Sequence, residues 1–300
     1  MVTGANRGLG FEVARALASH HAAVTLAVRD PLRGAAALGT IRDAVPGATV
    51  EVGEVDLASS VSIDRFVQEY TQRHNRLDCL VNSAAVILVP EGVTADGFEL
   101  HWGVNHLGHF ALTAGLMPLL LAARSPRVVT VTSLLARWGV VKPGSGGRPG
   151  PYRPTAAYAA SKLANLIFSR ELNRRAVAAG LSLSSMAAHP GYVRAESKGR
   201  ETGEASSAGP TSWLDPRSWL AQGIEAGAWP ILLAAAGPDV QGGGFYGPDG
   251  MLGTRGHPHL GRVPGRALRG DLGPALWRDA EASCKLSLQM AGAIETAPGV

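Results

Sequence analysis

The 300-residue sequence predicts an α/β chain, a single domain built on a doubly wound parallel sheet with helices on both faces. Two observations carry that expectation. Short β-branched apolar runs alternate with longer segments of helical period, as βαβ units require, and no internal repeat divides residues 1–300. A third concerns size: with 46% hydrophobic and 17% charged residues, the chain has material for a large core and is not disordered by composition.

Taken in order, a first strand at 1–3 runs into a glycine-rich turn that opens a helix at 8–20. The apolar runs at 23–28, 48–52 and 77–82 read as the next strands, separated by helical periods at 32–45 and 60–74. A long helix is expected at 94–123, then a strand at 127–133, a helix at 157–179 and a strand at 181–189. A helix at 222–236 and a strand at 244–247 complete the sheet, and the tail 248–300 is loop-rich apart from a weak helix at 275–290. Two irregular segments interrupt the pattern: 142–154, with four Gly and four Pro, and a variable loop at about 192–221 rich in Ser, Gly and Pro. Loops of that length are usually lids or binding loops, and ligands of such sheets gather outside the carboxyl ends of the strands.

Composition narrows the partners. Gly 38 and Pro 19 mark many turns without reaching low complexity. The net charge is +4, but the arginines are scattered and no run of five like charges occurs, so nucleic acid is not an expected ligand. Cys79 and Cys284 stand far apart without a CxxC pattern, which excludes a disulfide framework and a cysteine zinc site and fits a reducing, cytoplasmic setting. The uncharged stretch 101–123 holds His101, Asn105, His106, His109 and Pro118 and reads as a buried helix, not a membrane span. No signal peptide is expected ahead of the first motif. His106 and His109 have helical spacing but no carboxylate or thiol to join them, so no metal site is expected.

Two runs carry chemistry. In Thr3-Gly4-Ala5-Asn6-Arg7-Gly8-Leu9-Gly10 the glycines follow a strand and open a helix, a setting in which backbone amides and the helix dipole favour a pyrophosphate over a plain turn. After the second strand the sequence reads Val28-Arg29-Asp30. Val28 stands where an acid would accept ribose hydroxyls, and Arg29 and Arg7 suit a ribose 2′-phosphate, so NADP(H) is expected in preference to NAD(H), with Asp30 leaving NAD(H) open. In the second run, Tyr158-Ala159-Ala160-Ser161-Lys162, the Tyr and one of only four lysines fall one helical turn apart on one face. An ammonium there would draw the phenol toward a general acid/base range.

These runs, with Asp56-Leu57, Asn82-Ser83-Ala84-Ala85, Val104-Asn105-His106-Leu107-Gly108-His109-Phe110, the strand 129–133, Leu163-Ala164-Asn165 and His189-Pro190-Gly191, resemble the short-chain dehydrogenase/reductase family and its retinol-dehydrogenase-like branch. The resemblance spans about residues 3 to 191, with a weaker echo in Phe245-Tyr246-Gly247-Pro248. It implies a Rossmann fold and a catalytic tetrad of Asn105, Ser133, Tyr158 and Lys162. Tyr158 would protonate a carbonyl oxygen held by Ser133, Lys162 would lower the Tyr158 pKa and bind the nicotinamide ribose, and Asn105 would position a water. Cofactor contacts implied are Gly4, Asn6, Arg7, Gly8, Leu9 and Gly10 for the diphosphate, Arg29 for the ribose phosphate and Asp56 with Leu57 for the adenine edge. Asn82 and Ala84 are implied for the cofactor backbone, Tyr158 and Lys162 for the ribose, and Pro190 and Gly191 for the nicotinamide face.

The sequence departs from the family pattern at Ser83 and Ala85, where Asn and Gly are usual, and at Ala195, where a Thr would meet the nicotinamide amide. Ala85 is expected to shift the backbone near the adenosine ribose. Only Met1 and Val2 precede Thr3, where a central strand usually runs about five residues, so a clipped first strand is expected, from a late start, a truncation or a fold that tolerates it. The expected function is NADP(H)-dependent hydride transfer to or from a carbonyl or alcohol group of a lipophilic small molecule, with apolar contacts from Trp213, Trp219 and Trp229. The alternative is a cofactor-binding sensor or scaffold without turnover; a nucleotide-sugar epimerase would need more chain after Pro190. The resemblance also implies a homodimer formed through the helices at 94–123 and 157–179.

Overall fold

The computed structural model of the chain describes residues 1–148, 150–194 and 221–288. Eight strands form one sheet in the order β3-β2-β1-β4-β5-β6-β7-β8. They are β1 (Val2–Thr3), β2 (Val24–Val28), β3 (Val50–Glu54), β4 (Cys79–Asn82), β5 (Arg127–Val131), β6 (Ser184–Ala188), β7 (Phe245–Pro248) and β8 (Pro258–Leu260). The first seven run parallel, and the order reverses between β1 and β4, which opens the crevice where doubly wound sheets bind dinucleotides. Only β8 is antiparallel, closing the edge beside β7.

The short first strand is held from both sides. Val2 pairs with Leu26 and Val81 at once, and the bonds Val81 N to Met1 O (2.9 Å) and Gly4 N to Ala27 O (2.8 Å) extend the pairing past both ends. Val2 and Thr3 are fully buried.

One face carries α1 (Gly8–Ser19), α2 (Pro31–Ala44) and α8 (Ile224–Ala236) around a core of Val13, Leu26, Ile41, Val129 and Ile231. The other carries α3 (Ser60–Arg73), α5 (Gly108–Gly115), α6 (Met117–Leu121), α7 (Pro154–Ala178) and α9 (Leu272–Cys284) around Phe66, Leu80, Phe110, Phe168 and Trp277.

The helix expected at 94–123 is broken into pieces for local reasons. Residues 93–99 form a turn closed by Thr94 N to Phe98 O at 2.8 Å and a Val93–Glu99 bridge. Helix begins only at α4 (Leu100–Trp102), where the Glu99 carboxylate accepts from the His101 and Trp102 amides as an N-cap does. A π-helical turn, Gly103–Leu107, follows and leads into α5. Between α5 and α6 the helix breaks at Leu116, just ahead of Pro118, which has no amide to return to the preceding turn.

Among the described residues, the tail from 248 to 288 holds more regular structure than its composition suggests. α9 occupies part of the segment expected as a weak helix, and β8 was not expected at all. α9 packs Trp277 against Phe110, Phe168 and the Arg175 guanidinium. It therefore covers part of the helix faces through which the resemblance implies subunit pairing. Among the described residues no helix is long and apolar enough to cross a membrane.

Candidate active site

The site is assembled at the carboxyl ends of β1, β2, β4, β5 and β6. Gly4 and Gly8 take left-handed φ values of +66° and +61°, which side-chain-bearing residues rarely adopt. A Cβ on Gly4 would stand 2.9 Å from the Ala84 Cα, and one on Gly10 would stand 2.7 Å from the Gly4 carbonyl oxygen. The N-terminus of α1 is uncapped: Arg7 makes no side-chain cap and no acid lies in the first turn. Its amides and dipole are therefore available to an anion. Asn6 and Leu9 are half-buried around this turn.

Arg7 and Arg29 are exposed, and neither is in an ion pair among the described residues. Asp30 is engaged instead. It caps α2 through the Leu32 and Arg33 amides (3.0 and 3.1 Å) and pairs with the Arg33 guanidinium at 3.2 Å. Asp56 Oδ1 accepts from Ala58 N at 2.9 Å, while Leu57 is buried with its carbonyl against Gly108.

The loop 83–86 is held by two side chains. Thr3 Oγ1 accepts from the Ser83 and Ala84 amides (2.8 and 2.9 Å), and Asn105 Oδ1 accepts from Val86 N at 2.8 Å. Buried Asn82 donates to Thr113 Oγ1. Ala85 has no left-handed φ and is exposed, so its Cβ does not force the backbone shift expected from the missing glycine.

Asn105 lies in the π-helical turn, and its amide is engaged on both sides: Nδ2 donates to Val86 O and to Ser161 Oγ, each at 3.0 Å. Ser161 in turn donates to Tyr158 O. Asn105 is thus a clamp between the 83–86 loop and α7.

Ser133 follows β5 and accepts from Leu135 N at 3.2 Å, starting a 3-10 turn, Leu134–Trp138. Tyr158 and Lys162 are both buried in the first turns of α7. Burial pushes the Tyr158 phenol up from its ordinary value, and the Ser133 hydroxyl works the other way. Lys162 Nζ donates to Val131 O at 3.0 Å and stands 5.8 Å from the Tyr158 ring centre. Burial pulls its ammonium down to about 7. The ammonium is turned toward a carbonyl of β5, and desolvation is the largest cause of the shift at both groups.

The Pro190-Gly191 turn is fixed by His189 of its own motif and by Gln222, which no motif signalled. Gly191, at φ +69°, donates its amide to His189 Nδ1 at 3.2 Å. Gln222 bridges the turn to the tail, donating from Nε2 to Pro190 O at 2.7 Å and accepting from Gly256 N at 3.2 Å. The partners fix that amide's orientation, because a carbonyl only accepts and an N–H only donates. Glu99 and His101 are likewise buried and in contact at 2.7 Å, with the His101 ring edge-on to Tyr158 at 6.1 Å. Trp229 stacks on His257 and remains exposed; Ala195, Trp213, Trp219 and most of the variable loop lie outside the described residues. Among the described residues, no group of three His, Cys, Asp or Glu could hold a metal ion.

Comparison with known proteins gives a consistent picture. The sequence model of the short chain dehydrogenase family matches residues 1–205. Human retinol dehydrogenase 12 is 41% identical over 196 residues, which make up 65% of this chain and 61% of that relative's length. A crystal structure of an uncharacterized protein from Mycobacterium paratuberculosis superimposes with a TM-score of 0.77 at 38% identity, covering 96% of this chain and 93% of that one. A metagenomic short-chain oxidoreductase in complex with NADP aligns at 27% identity with a TM-score of 0.52, over 65% of this chain and 82% of that one.

Proposed function

Since the chain belongs to the short chain dehydrogenase family, we propose that it is an NADP(H)-dependent oxidoreductase acting on a carbonyl or alcohol group of a lipophilic small molecule. The observation that carries this reading is the convergence of Ser133 and the buried Tyr158–Lys162 pair at the carboxyl end of β5. The glycine turn stands at the end of β1, in the same crevice.

The residues present fit a nicotinamide dinucleotide. The uncapped α1 N-terminus, the close-packed glycines 4 and 10 and the left-handed Gly8 would hold the diphosphate, with Asn6 and Leu9 beside it. Arg7 and Arg29, exposed and in no ion pair among the described residues, would meet a ribose 2′-phosphate, and Asp30, committed to its own helix cap, would not compete for it. Asp56 and Leu57 would meet the adenine edge, Asn82 and Ala84 the cofactor backbone, and Pro190 and Gly191 the nicotinamide. When bound, the reduced cofactor supplies a hydride.

The chain's own chemistry is proton handling. A buried phenol whose pKa is pushed up stays protonated at neutral pH, so Tyr158 enters as the acid that protonates a carbonyl oxygen. The Ser133 hydroxyl donates to the same oxygen as negative charge develops there. Exposed Trp138 and Val140, just beyond Ser133, suit an apolar substrate.

The test is a titration of the purified chain with NADPH and separately NADH, followed by NADPH oxidation across a carbonyl panel for wild type and Tyr158→Phe. Tight NADPH binding with turnover that Tyr158→Phe abolishes supports the reading. Full turnover in Tyr158→Phe sinks it, and NADPH binding without turnover favours a sensor or scaffold.

A further inference from the structure

The peptide unit between Pro190 and Gly191 is held from both sides by side chains. Its carbonyl accepts from Gln222 Nε2 at 2.7 Å, and its amide donates to His189 Nδ1 at 3.2 Å. Neither group has a backbone partner among the described residues. The bond is trans, so its carbonyl and amide point to opposite sides, and the plane cannot turn without losing both partners. Because the Gly191 amide only donates, His189 Nδ1 is the acceptor and the neutral ring carries its proton on Nε2. Burial, with Arg137 and His259 nearby, draws this imidazole down to about 3, which keeps the acceptor free at neutral pH.

The surroundings of the plane are fastened as well. Tyr192 N donates to Thr254 O at 2.7 Å, and Arg137, in the turn after Ser133, donates from Nη1 to Leu252 O at 3.3 Å. Gln222 reaches the same tail segment through Gly256 N at 3.2 Å. The position of the plane in the site follows from the sheet. Val131 of β5 pairs with Ala188 of β6, and Thr132 N donates to Ala188 O at 2.8 Å. Ser133 and the held plane therefore leave neighbouring strands at one level, and the Val131 carbonyl at that level is the one that holds Lys162. Any tilt of the plane is a displacement relative to the groups that handle the proton.

We propose that His189 and Gln222 are positioning residues that act through the Pro190-Gly191 plane and set where the nicotinamide lies against Ser133 and Tyr158. The proposal rests on the oxidoreductase reading and assigns neither residue a proton or hydride step. The diphosphate and adenosine contacts lie at other strand ends, so a change at either residue should affect the rate more than the hold on the dinucleotide.

His189→Leu and His189→Asn share one branched shape, and only the second offers an oxygen in place of Nδ1. At pH 8 Gln222→Glu keeps an acceptor for Gly256 N but has no donor for Pro190 O, and Gln222→Met has neither. Calorimetry gives the affinity of each variant for NADPH and for adenosine 2′,5′-bisphosphate, which lacks the nicotinamide; kcat on the carbonyl panel and Tm complete the set. His189→Leu, Gln222→Glu and Gln222→Met should lower kcat about ten- to a hundredfold and weaken NADPH about three- to tenfold, with the bisphosphate unchanged. His189→Asn should recover most of both losses. A merely structural role would weaken the two ligands together, in step with Tm. Equal losses for both ligands overturn the proposal, as do unchanged kcat and NADPH affinity in Gln222→Met. If His189→Leu fails to fold, the Gln222 variants decide. A wild type that binds NADPH but reduces no carbonyl ends the oxidoreductase reading alone, because the two affinities still test the plane; a wild type that holds NADPH no more tightly than the bisphosphate overturns the proposal, and one that binds neither overturns both.

Discussion

The Thr3 hydroxyl donates to His109 Nε2 across 2.9 Å, joining the first strand to the helix that follows Asn105. The tautomer follows from the other ring nitrogen: His109 Nδ1 lies 3.0 Å from the Asn105 carbonyl oxygen, which can only accept, so Nδ1 carries the proton. Thr3 at the same time accepts from Ser83 and Ala84. Thr3→Val keeps the shape and leaves these groups without a partner. It should cost about 1–3 kcal/mol and loosen the 83–86 loop, whereas Thr3→Ser should come close to wild type. Urea midpoints of the two variants decide it.

Stability should fall on mild acidification. Burial lowers His106 from 6.5 to about 4 and His109 and His189 to about 3. Below pH 6.5 the unfolded chain takes up protons that the folded chain refuses, so the histidines' contribution to stability is complete above pH 6.5 and drains away as the pH drops toward 3. Glu99 and Glu171, held below the ordinary carboxylate value by their hydrogen bonds, add to the loss only below about pH 4.5. Between pH 6.5 and 4.5 the decline in urea midpoint belongs chiefly to the histidines, and a flat profile there would contradict their neutral burial.

Cofactor choice should turn on Arg29. Arg29→Ala is expected to weaken NADPH binding about tenfold or more, the size of a lost charge-assisted contact, and to leave NADH binding nearly as it was. Arg7→Ala should act in the same direction. Fluorescence titration with both cofactors checks the split, and equal losses for both would show that the arginines do not read the 2′-phosphate.

α9 should keep the chain a monomer. Trp277 is buried between Phe110, Phe168 and Arg175, so α9 occupies a surface that a second subunit would need. Sedimentation is expected to give a single chain, against the homodimer that the resemblance implies. Trp277→Ala should cost about 3–5 kcal/mol. A dimer at micromolar concentration would show that pairing uses another face.

What could be read in the sequence was local. The glycine turn and the Tyr158–Lys162 spacing depend on neighbours within one strand–turn–helix or one helical turn, and both stand where expected. The break before Leu100 was missed because periodicity does not reveal that Glu99 turns its carboxylate onto the next amides. β8 was missed because Pro258-His259-Leu260 has no strand pattern of its own and owes its conformation to pairing with β7, at an edge where proline is tolerated. The link from Arg137 to Leu252 spans 115 positions, and no spacing rule reaches that far. The Lys162 ammonium illustrates the same limit: its closeness to Tyr158 was legible, but its capture by Val131 O was not.

The wide turn at Gly103–Leu107 has an indexing role. Its closing bond runs from the Gly108 amide to the Gly103 carbonyl, one residue longer than an α-helical turn. Deleting a single residue there would close the wide turn to a regular one and leave the helix on either side nearly in phase, because the wide turn takes up the rotation of about 100° that one residue adds to a regular helix. Glu99, His101 and His109 would keep their directions, but the widened turn that brings Asn105 to both Val86 and Ser161 would be gone. Loops elsewhere can gain or lose a residue with little effect, but between Glu99 and His109 the count of residues is itself a specification, as binding as the identity of any side chain it aligns.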